Sequence, residues 1–253
     1  MTKLRSVLSG LLTLAVTVGV GPVFAAPITF TVNPSVIGAP QSGFQATITD
    51  FSYSSTVNQT GPVGCVPSCA FTESGHASFS GFKGPDFVTP VANTGLNQNP
   101  GYTMTGDFTA TGTAVPNGTG ITATFNTFNL TLNTQTQPGG ASTVIAQSAG
   151  LVSGQAHVFG PDLAAGDFHV ILNLNPVGGF LSGPFVLNLN TADFAGNNTS
   201  VTGVSVGPFT GGHIVGSGNL SFTPGSVVPE PTTLVLLGSG MAALGWWRRR
   251  VTR

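Results

Sequence analysis

Apolar and polar residues alternate along much of the central part of the chain. In residues 121–125, for example, Ile121, Ala123 and Phe125 are separated by two threonines. An apolar residue at every second position is typical of a β-strand with one buried face. Comparable patterns predict strands at residues 28–32, 45–51, 102–113, 121–125, 129–133, 168–174, 185–190, 201–206 and 218–222.

Two interruptions of this alternation predict local features. Asn126 and Thr127 are both polar and shift the phase before the pattern resumes at residue 129, which predicts a β-bulge. The strands at 168–174 and 185–190 are separated by a segment that contains three glycines and two prolines. Such a composition favours a loop, so these two strands are predicted to form a hairpin.

The strand pattern predicts the fold class of the central chain. Apart from the two termini, no stretch of ten or more residues has helical periodicity, and strands recur every 10 to 15 residues with turn signals between them. This spacing favours an all-β fold, and we predict a single β-sandwich-like domain over residues 26–226. A repeat architecture is the alternative, because the sequences ILNLNP and VLNLNT resemble each other fifteen residues apart.

The N-terminus has the three parts of a secretory signal peptide. Lys3 and Arg5 make a basic start, residues 7–20 are apolar, and Val23-Phe24-Ala25 has the small-x-small pattern of a cleavage site. We predict a signal-peptide helix over residues 1–25 with cleavage after Ala25, since cleavage after Ala26 would leave Pro27 next to the cut. The chain is therefore expected to be exported through the Sec pathway.

The C-terminus has the pattern of a membrane segment. Residues 232–247 carry no charge, which gives roughly 24 Å of helix at about 1.5 Å per residue. Arginines follow this span and are predicted to be its cytoplasmic anchor. The chain before the span is then predicted to lie on the other side of the membrane. A buried core helix is the alternative. The anchoring residues are Arg248, Arg249, Arg250 and Arg253.

This C-terminal segment resembles a PEP-CTERM sorting signal. The resemblance rests on Val228, Pro229, Glu230 and Pro231, followed by the hydrophobic span and the arginine cluster at 248–253. It assigns residues 227–253 to the signal, with the PEP motif at 229–231 and the transmembrane helix at 232–247. It implies that an exosortase of a Gram-negative bacterium removes the tail. The protein would then stay only transiently in the inner membrane before it reaches the cell surface or extracellular matrix.

The central region is more weakly similar to flocculation-associated PEP-CTERM proteins. That similarity implies a role in floc or biofilm formation, with exopolysaccharide as the partner. The segments that carry it are the opening at 30–35, the cysteine pair, the strands at 110–113 and 130–132, and residues 216–222.

The composition narrows the class of partner. Without the two ends the chain has one base, Lys83, against seven acids, a formal charge of −6. Nucleic acid is excluded because almost nothing could neutralise its phosphates. Eighteen phenylalanines argue against disorder. The seven acids are Asp50, Glu73, Asp86, Asp107, Asp162, Asp167 and Asp193.

The two cysteines, Cys65 and Cys69, are predicted to form a disulfide. In an exported chain, a lone pair of cysteines four residues apart most often makes a local bridge. A loop this short constrains little of the unfolded chain, so the bond is expected to fix a turn.

Candidate catalytic residues are sparse. The sequence Gly203-Val-Ser205-Val-Gly207 has the form of a nucleophile elbow, but that motif needs a strand–turn–helix context that this region does not offer. Asp162, Asp167 and His169 are predicted to be turn and strand residues, with a metal site as the alternative. His76 and His157 have no partner at ligand spacing except Glu73 beside His76.

We therefore predict a protein without catalytic residues, metal or cofactor. The alternative is a secreted carbohydrate-active hydrolase, which would need paired carboxylates. Hydroxyl and amide groups at alternating strand positions could hydrogen-bond neutral polysaccharide or carry sugars themselves. Examples of these positions are Thr122, Thr124, Thr131, Asn173, Asn188 and Asn190.

Overall fold

A computed structural model describes residues 28–118, 120–159, 163–182 and 190–224. The predicted signal peptide, the segment at 227–253 and most of the predicted strand at 185–190 lie outside these residues. The strands are β1 (Phe30–Val32), β2 (Phe44–Ala46), β3 (Ile48–Thr60), β4 (Cys69–Lys83), β5 (Gly101–Asn117), β6 (Gly120–Gln137), β7 (Ser142–Phe159), β8 (Ala165–Pro176), β9 (Leu181–Ser182), β10 (Asn190–Thr202) and β11 (Phe209–Pro224). Short 3₁₀ turns lie at Pro34–Ile37 and Val63–Cys65.

Eight long antiparallel strands form a closed barrel. Their order around the wall is β10-β11-β3-β4-β5-β6-β7-β8, and β8 pairs with β10 to close the circle. The remaining strands form a small sheet in the order β2-β1-β9. No helix of the described residues is long and apolar enough to cross a membrane.

The all-β fold class is confirmed, but the predicted sandwich arrangement is wrong. The strands of the wall have 12 to 18 residues, mostly longer than the sequence segments that predicted them. Long strands joined by short turns can twist and tilt until the first and last members meet, which removes the open edges that a sandwich would keep. Alternation of apolar and polar residues is the same in both arrangements, so it could not distinguish them.

Local predictions from the sequence have mixed outcomes. In the β5–β6 pairing, Thr111 is opposite Thr127 and Gly112 is opposite Phe125, so Asn126 is the extra residue of the predicted bulge. The strand at 168–174 pairs antiparallel with residues 191–196 of β10, whereas its predicted hairpin partner at 185–190 lies almost wholly outside the described residues, so that hairpin stays a prediction. The prediction of a strand at 201–206 is wrong beyond Thr202, because the chain turns at Gly203, where φ is +69°.

Inside the barrel, aromatic rings lie over glycines of the neighbouring strand. A side-chain carbon added at Gly112 would lie 2.5 Å from the ring of Phe71, so neither position tolerates more volume. Large and small residues thus share the limited width of an eight-stranded barrel. The directly opposite pairs are Gly75–Phe108, Gly112–Phe71, Gly196–Phe168, Gly216–Tyr53 and Gly218–Phe51.

The small sheet covers one end of the barrel, which we call the capped end. Phe30 of β1 is buried there, with its ring 4.9 Å from that of Phe222 and 6.5 Å from that of Phe82. Tyr102 and Phe180 make another edge-to-face pair at 5.4 Å. Such pairs add to the stabilisation from apolar burial, so the capped end is densely packed.

Candidate functional site

A row of polar side chains crosses five neighbouring strands on the outer face of the barrel. In the order β8, β10, β11, β3 and β4, its members are Asp167, Asn197, Ser217, Ser52 and Ser78, each directly opposite the next. Adjacent strands lie about 4.8 Å apart, so the row presents hydrogen-bonding groups at a regular interval. We call these five residues the polar row.

Four members of the polar row line a groove in the barrel wall. The groove has a volume of about 550 Å³ and also contains Asp50, Ser80 and Asn219. Its lining also includes Gly196 and Gly218. The hydroxyl and amide groups of this groove can accept hydrogen bonds from and donate them to a polyhydroxyl chain.

The two acids of the groove already have basic partners. Asp50 Oδ1 accepts a hydrogen bond from Lys83 Nζ at 2.9 Å, and Asp167 Oδ1 lies 2.8 Å from His157 Nδ1. These four side chains are between 31% and 49% exposed, so solvent screens both pairs. Lys83 balances the charge of Asp50, and both carboxylates already have a hydrogen-bonding partner, which favours a neutral ligand over an anionic one.

A second histidine–aspartate pair lies elsewhere on the wall. His76 Nδ1 is 2.8 Å from Asp107 Oδ1, and Asn133 donates to the other oxygen of Asp107 at 3.1 Å. The sequence offered no partner at ligand spacing for His76 and His157 except Glu73 beside His76, and the structure gives each histidine an aspartate partner from the neighbouring strand. Asp167 thus pairs with His157, whereas it was considered with His169; Asp162 lies outside the described residues. Within the described ranges, no group of three or more histidines, cysteines or acids could hold a metal ion.

The Gly203–Gly207 motif lies in the turn between β10 and β11. The element that follows is a strand, so the helix that a nucleophile elbow requires is absent from this part of the described chain. Gln59 Nε2 donates to the carbonyl oxygen of Gly207 at 2.6 Å and lies 3.4 Å from that of Ser205. The motif is therefore held as a structural turn.

The predicted disulfide between Cys65 and Cys69 is present. Both cysteines are buried, and Gln59 Nε2 also donates to Cys65 Sγ at 3.2 Å. One side chain thus connects the disulfide loop to the β10–β11 turn. We call this the disulfide end of the barrel, and it lies opposite the capped end.

The segment that follows β11 contains the signal for sorting of the protein. Residues 227–250 match the model of the PEP-CTERM protein-sorting motif. The chain carries a PEP-CTERM sorting signal. Such a signal implies export through Sec, membrane-anchored transit and processing by an exosortase. No curated protein and no solved structure matches the chain.

The PEP-CTERM signal contains most of the predicted sorting residues. The matched segment includes Val228, Pro229, Glu230 and Pro231, together with Arg248, Arg249 and Arg250. Arg253 follows it, and the cleavage site at Ala25 stays a prediction. All of these positions lie outside the described residues. The signal begins soon after β11 ends at Pro224, so little chain separates it from the barrel wall.

Proposed function

We propose that the mature protein is a non-catalytic component of the cell surface or extracellular matrix, where it contributes to biofilm or floc cohesion by binding exopolysaccharide. The PEP-CTERM signal at residues 227–250 is the observation that carries this proposal. Exosortase removes the tail, and the barrel leaves the inner membrane.

The outer wall of the barrel supports contact with a neutral polysaccharide. The polar row offers serine hydroxyls and the amide of Asn197, which both donate and accept hydrogen bonds, as sugar hydroxyls do. The acids of the groove are paired with Lys83 and His157. A polyanionic polymer would find few cations here, since Lys83 is the only lysine or arginine in residues 28–224.

A binding experiment tests the proposal with a matched pair of triple variants. The first variant replaces Ser52, Asn197 and Ser217 of the polar row by alanine. The control replaces Ser74, Thr109 and Asn129, which form a similar exposed row across β4, β5 and β6. Mature protein recovered from the culture is applied to exopolysaccharide from the same organism.

We expect the first variant to lose at least tenfold in affinity and the control to bind like the unaltered protein. Equal loss in both variants, or no loss in the first, would contradict binding at the polar row. Release of sugars during the assay that Asp167→Asn abolishes would support the alternative, a secreted carbohydrate-active hydrolase.

Processing of the tail is tested separately. A strain without exosortase, or a Glu230→Ala, Pro231→Ala double variant, should keep full-length protein in the membrane fraction. In the normal strain the mature protein should lack the Trp246-Trp247-Arg248 peptide. Detection of that peptide by mass spectrometry on protein at the cell surface would rule the sorting mechanism out.

A further inference from the structure

A cavity of about 70 Å³ lies inside the barrel near the disulfide end. Its wall is mostly apolar and includes the rings of Phe71, Phe108, Phe125 and Phe128. One carboxyl group, that of Glu73, is part of the same wall. An acid in an apolar enclosure is costly unless it is protonated or has a partner, so Glu73 requires an explanation.

Glu73 faces inward because of its position in β4. Phe71, two residues earlier in the strand, faces the same way. Glu73 lies opposite Val57 of β3 and Ala110 of β5. Burial raises the pKa of the Glu73 carboxyl, and the nearby Ser55 hydroxyl opposes this rise. Among the described residues that line the cavity, Tyr53 is the other titratable group, and burial raises its pKa further above neutrality.

The described chain provides no cation for an ionised Glu73. Lys83 is its one lysine or arginine, and its ammonium group binds Asp50 at 2.9 Å. Lys83 also stands at the other end of β4, where this strand reaches the capped end. When Glu73 is ionised, the positive charge that balances it must therefore come from outside the described chain.

The Ser55 hydroxyl lies next to the Glu73 side chain and favours the ionised form of its carboxyl. Ser55 is 3% exposed, so this neighbour is itself buried. A hydroxyl carries no charge, so this contact does not balance an ionised Glu73.

We propose that this cavity binds a small primary alkylammonium ion. The ammonium group donates hydrogen bonds to the carboxylate of Glu73, and the alkyl chain lies among the phenylalanine rings. Aromatic faces attract cations in addition to covering the apolar chain. Glu73 releases its proton to solvent when the ion binds, so that one cation enters as one proton leaves.

The cavity volume limits the ligand to a few non-hydrogen atoms. A water molecule takes about 30 Å³ of liquid volume, and an apolar protein cavity of roughly 150 Å³ admits benzene. The volume of about 70 Å³ lies between these values. n-Propylammonium is smaller than benzene and is a suitable probe.

The test is a calorimetric titration of the mature protein with n-propylammonium chloride at several pH values. 1-Propanol, which has the same chain without the charge, is the control ligand. Glu73→Gln removes the carboxylate with little change in shape, and Asp107→Asn, on the outer wall, is the control variant. We expect Glu73→Gln to weaken n-propylammonium binding at least tenfold, and Asp107→Asn to leave it unchanged.

The pH dependence gives a second measurement in the unaltered protein. Below the pKa of Glu73 in the free protein, affinity should rise up to tenfold per pH unit, with one proton released per ion bound. Repeating the titration in buffers of different ionisation enthalpy measures that proton. This measurement of proton release tests the proposal even if Glu73→Gln does not fold.

Four results would overturn the proposal. They are an absence of n-propylammonium binding at millimolar concentration, equal binding of 1-propanol, unchanged binding by folded Glu73→Gln, and binding without proton release. Equal binding of 1-propanol would identify the cavity as a purely apolar space.

Discussion

At the capped end of the barrel the rings of Phe30, Phe82 and Phe222 fill the interior, whereas the disulfide end encloses a cavity with a carboxyl group on its wall. The same eight strands form both ends, with the same alternation of inward and outward side chains. The difference comes from what covers them. At the capped end a three-stranded sheet contributes Phe30 and the turn before β9 contributes Phe180, but a five-residue disulfide loop and short turns surround the other end.

This comparison shows that closing a barrel wall does not by itself fill the barrel. Wall strands provide side chains at fixed positions, and the remaining space is filled only where other segments contribute apolar groups. Where they do not, an inward polar residue such as Glu73 can persist. The capped end is therefore expected to carry stability, and the disulfide end is available for binding.

The largest expected effect is the loss of a ring at the capped end. Phe30→Ala should lower the free energy of unfolding by about 3–5 kcal/mol, because a fully buried ring leaves a cavity. Phe209→Ala, at the wall of the existing cavity, should cost clearly less because Phe209 is only partly buried. Chemical denaturation measures both, and similar losses would contradict the division into a packed and an open end.

A glycine within the wall should have the next largest effect. In Gly112→Ala the new carbon would meet the Thr124 carbonyl oxygen at 2.2 Å, so backbone must move, at a cost of about 3 kcal/mol. Gly81→Ala on β4 is the control, since nothing lies within 4 Å of the added carbon. If thermal unfolding shows equal midpoints for the two variants, the glycine–aromatic pairs do not limit packing.

Removing the disulfide should have a moderate effect confined to its own end. Cys65→Ser with Cys69→Ser should cost at most about 2 kcal/mol, because the closed loop is short. Hydrogen exchange should speed up around Gln59 and the β10–β11 turn but not at the capped end. Faster exchange throughout the barrel would show that the two ends unfold together.

Glu73 should make the disulfide end sensitive to pH. The folded-state pKa of Glu73 lies above its ordinary value of 4.5, so the folded chain holds this proton more tightly than the unfolded chain does. Its contribution to stability is complete below about pH 4.5 and is lost as the pH rises through the folded-state value. In Glu73→Gln the free energy of unfolding, measured by denaturation from about pH 4 to pH 8, should fall less as the pH rises. An equal fall in the variant would mean that other titratable groups cause it.

The smallest effect is expected on the outer wall, away from both ends. Asp107→Asn changes a His76–Asp107 contact whose side chains are 51% and 62% exposed. Exposed pairs of this kind contribute about 0–1 kcal/mol, so the free energy of unfolding should change little. A loss as large as that of Phe30→Ala would mean that the wall, rather than the capped end, determines stability.

Features that depend only on residues close together in the sequence were predictable. The bulge at Asn126 was visible as a phase shift, and the disulfide followed from two cysteines four residues apart in an exported chain. Barrel closure was not visible, because it depends on pairing β11 with β3 across most of the chain. The pairing of β8 with β10 is needed as well, and alternation does not specify strand partners.

The candidate sites divide in the same way. The sorting signal is a contiguous motif, so its residues could be named from the sequence. The polar row and the pair of His157 with Asp167 exist only after the strands are placed in register. Glu73 was visible merely as one of seven acids, since its inward orientation depends on which face of β4 is buried.

The two ends of the described chain emerge together. The backbone N–H of Ile28 donates to the carbonyl oxygen of Phe222 at 2.8 Å, beside the capped end. A fusion partner or affinity tag joined directly to Ile28 or Pro224 would therefore lie near this end. A barrel immobilised through such a tag would display its disulfide end to the solution.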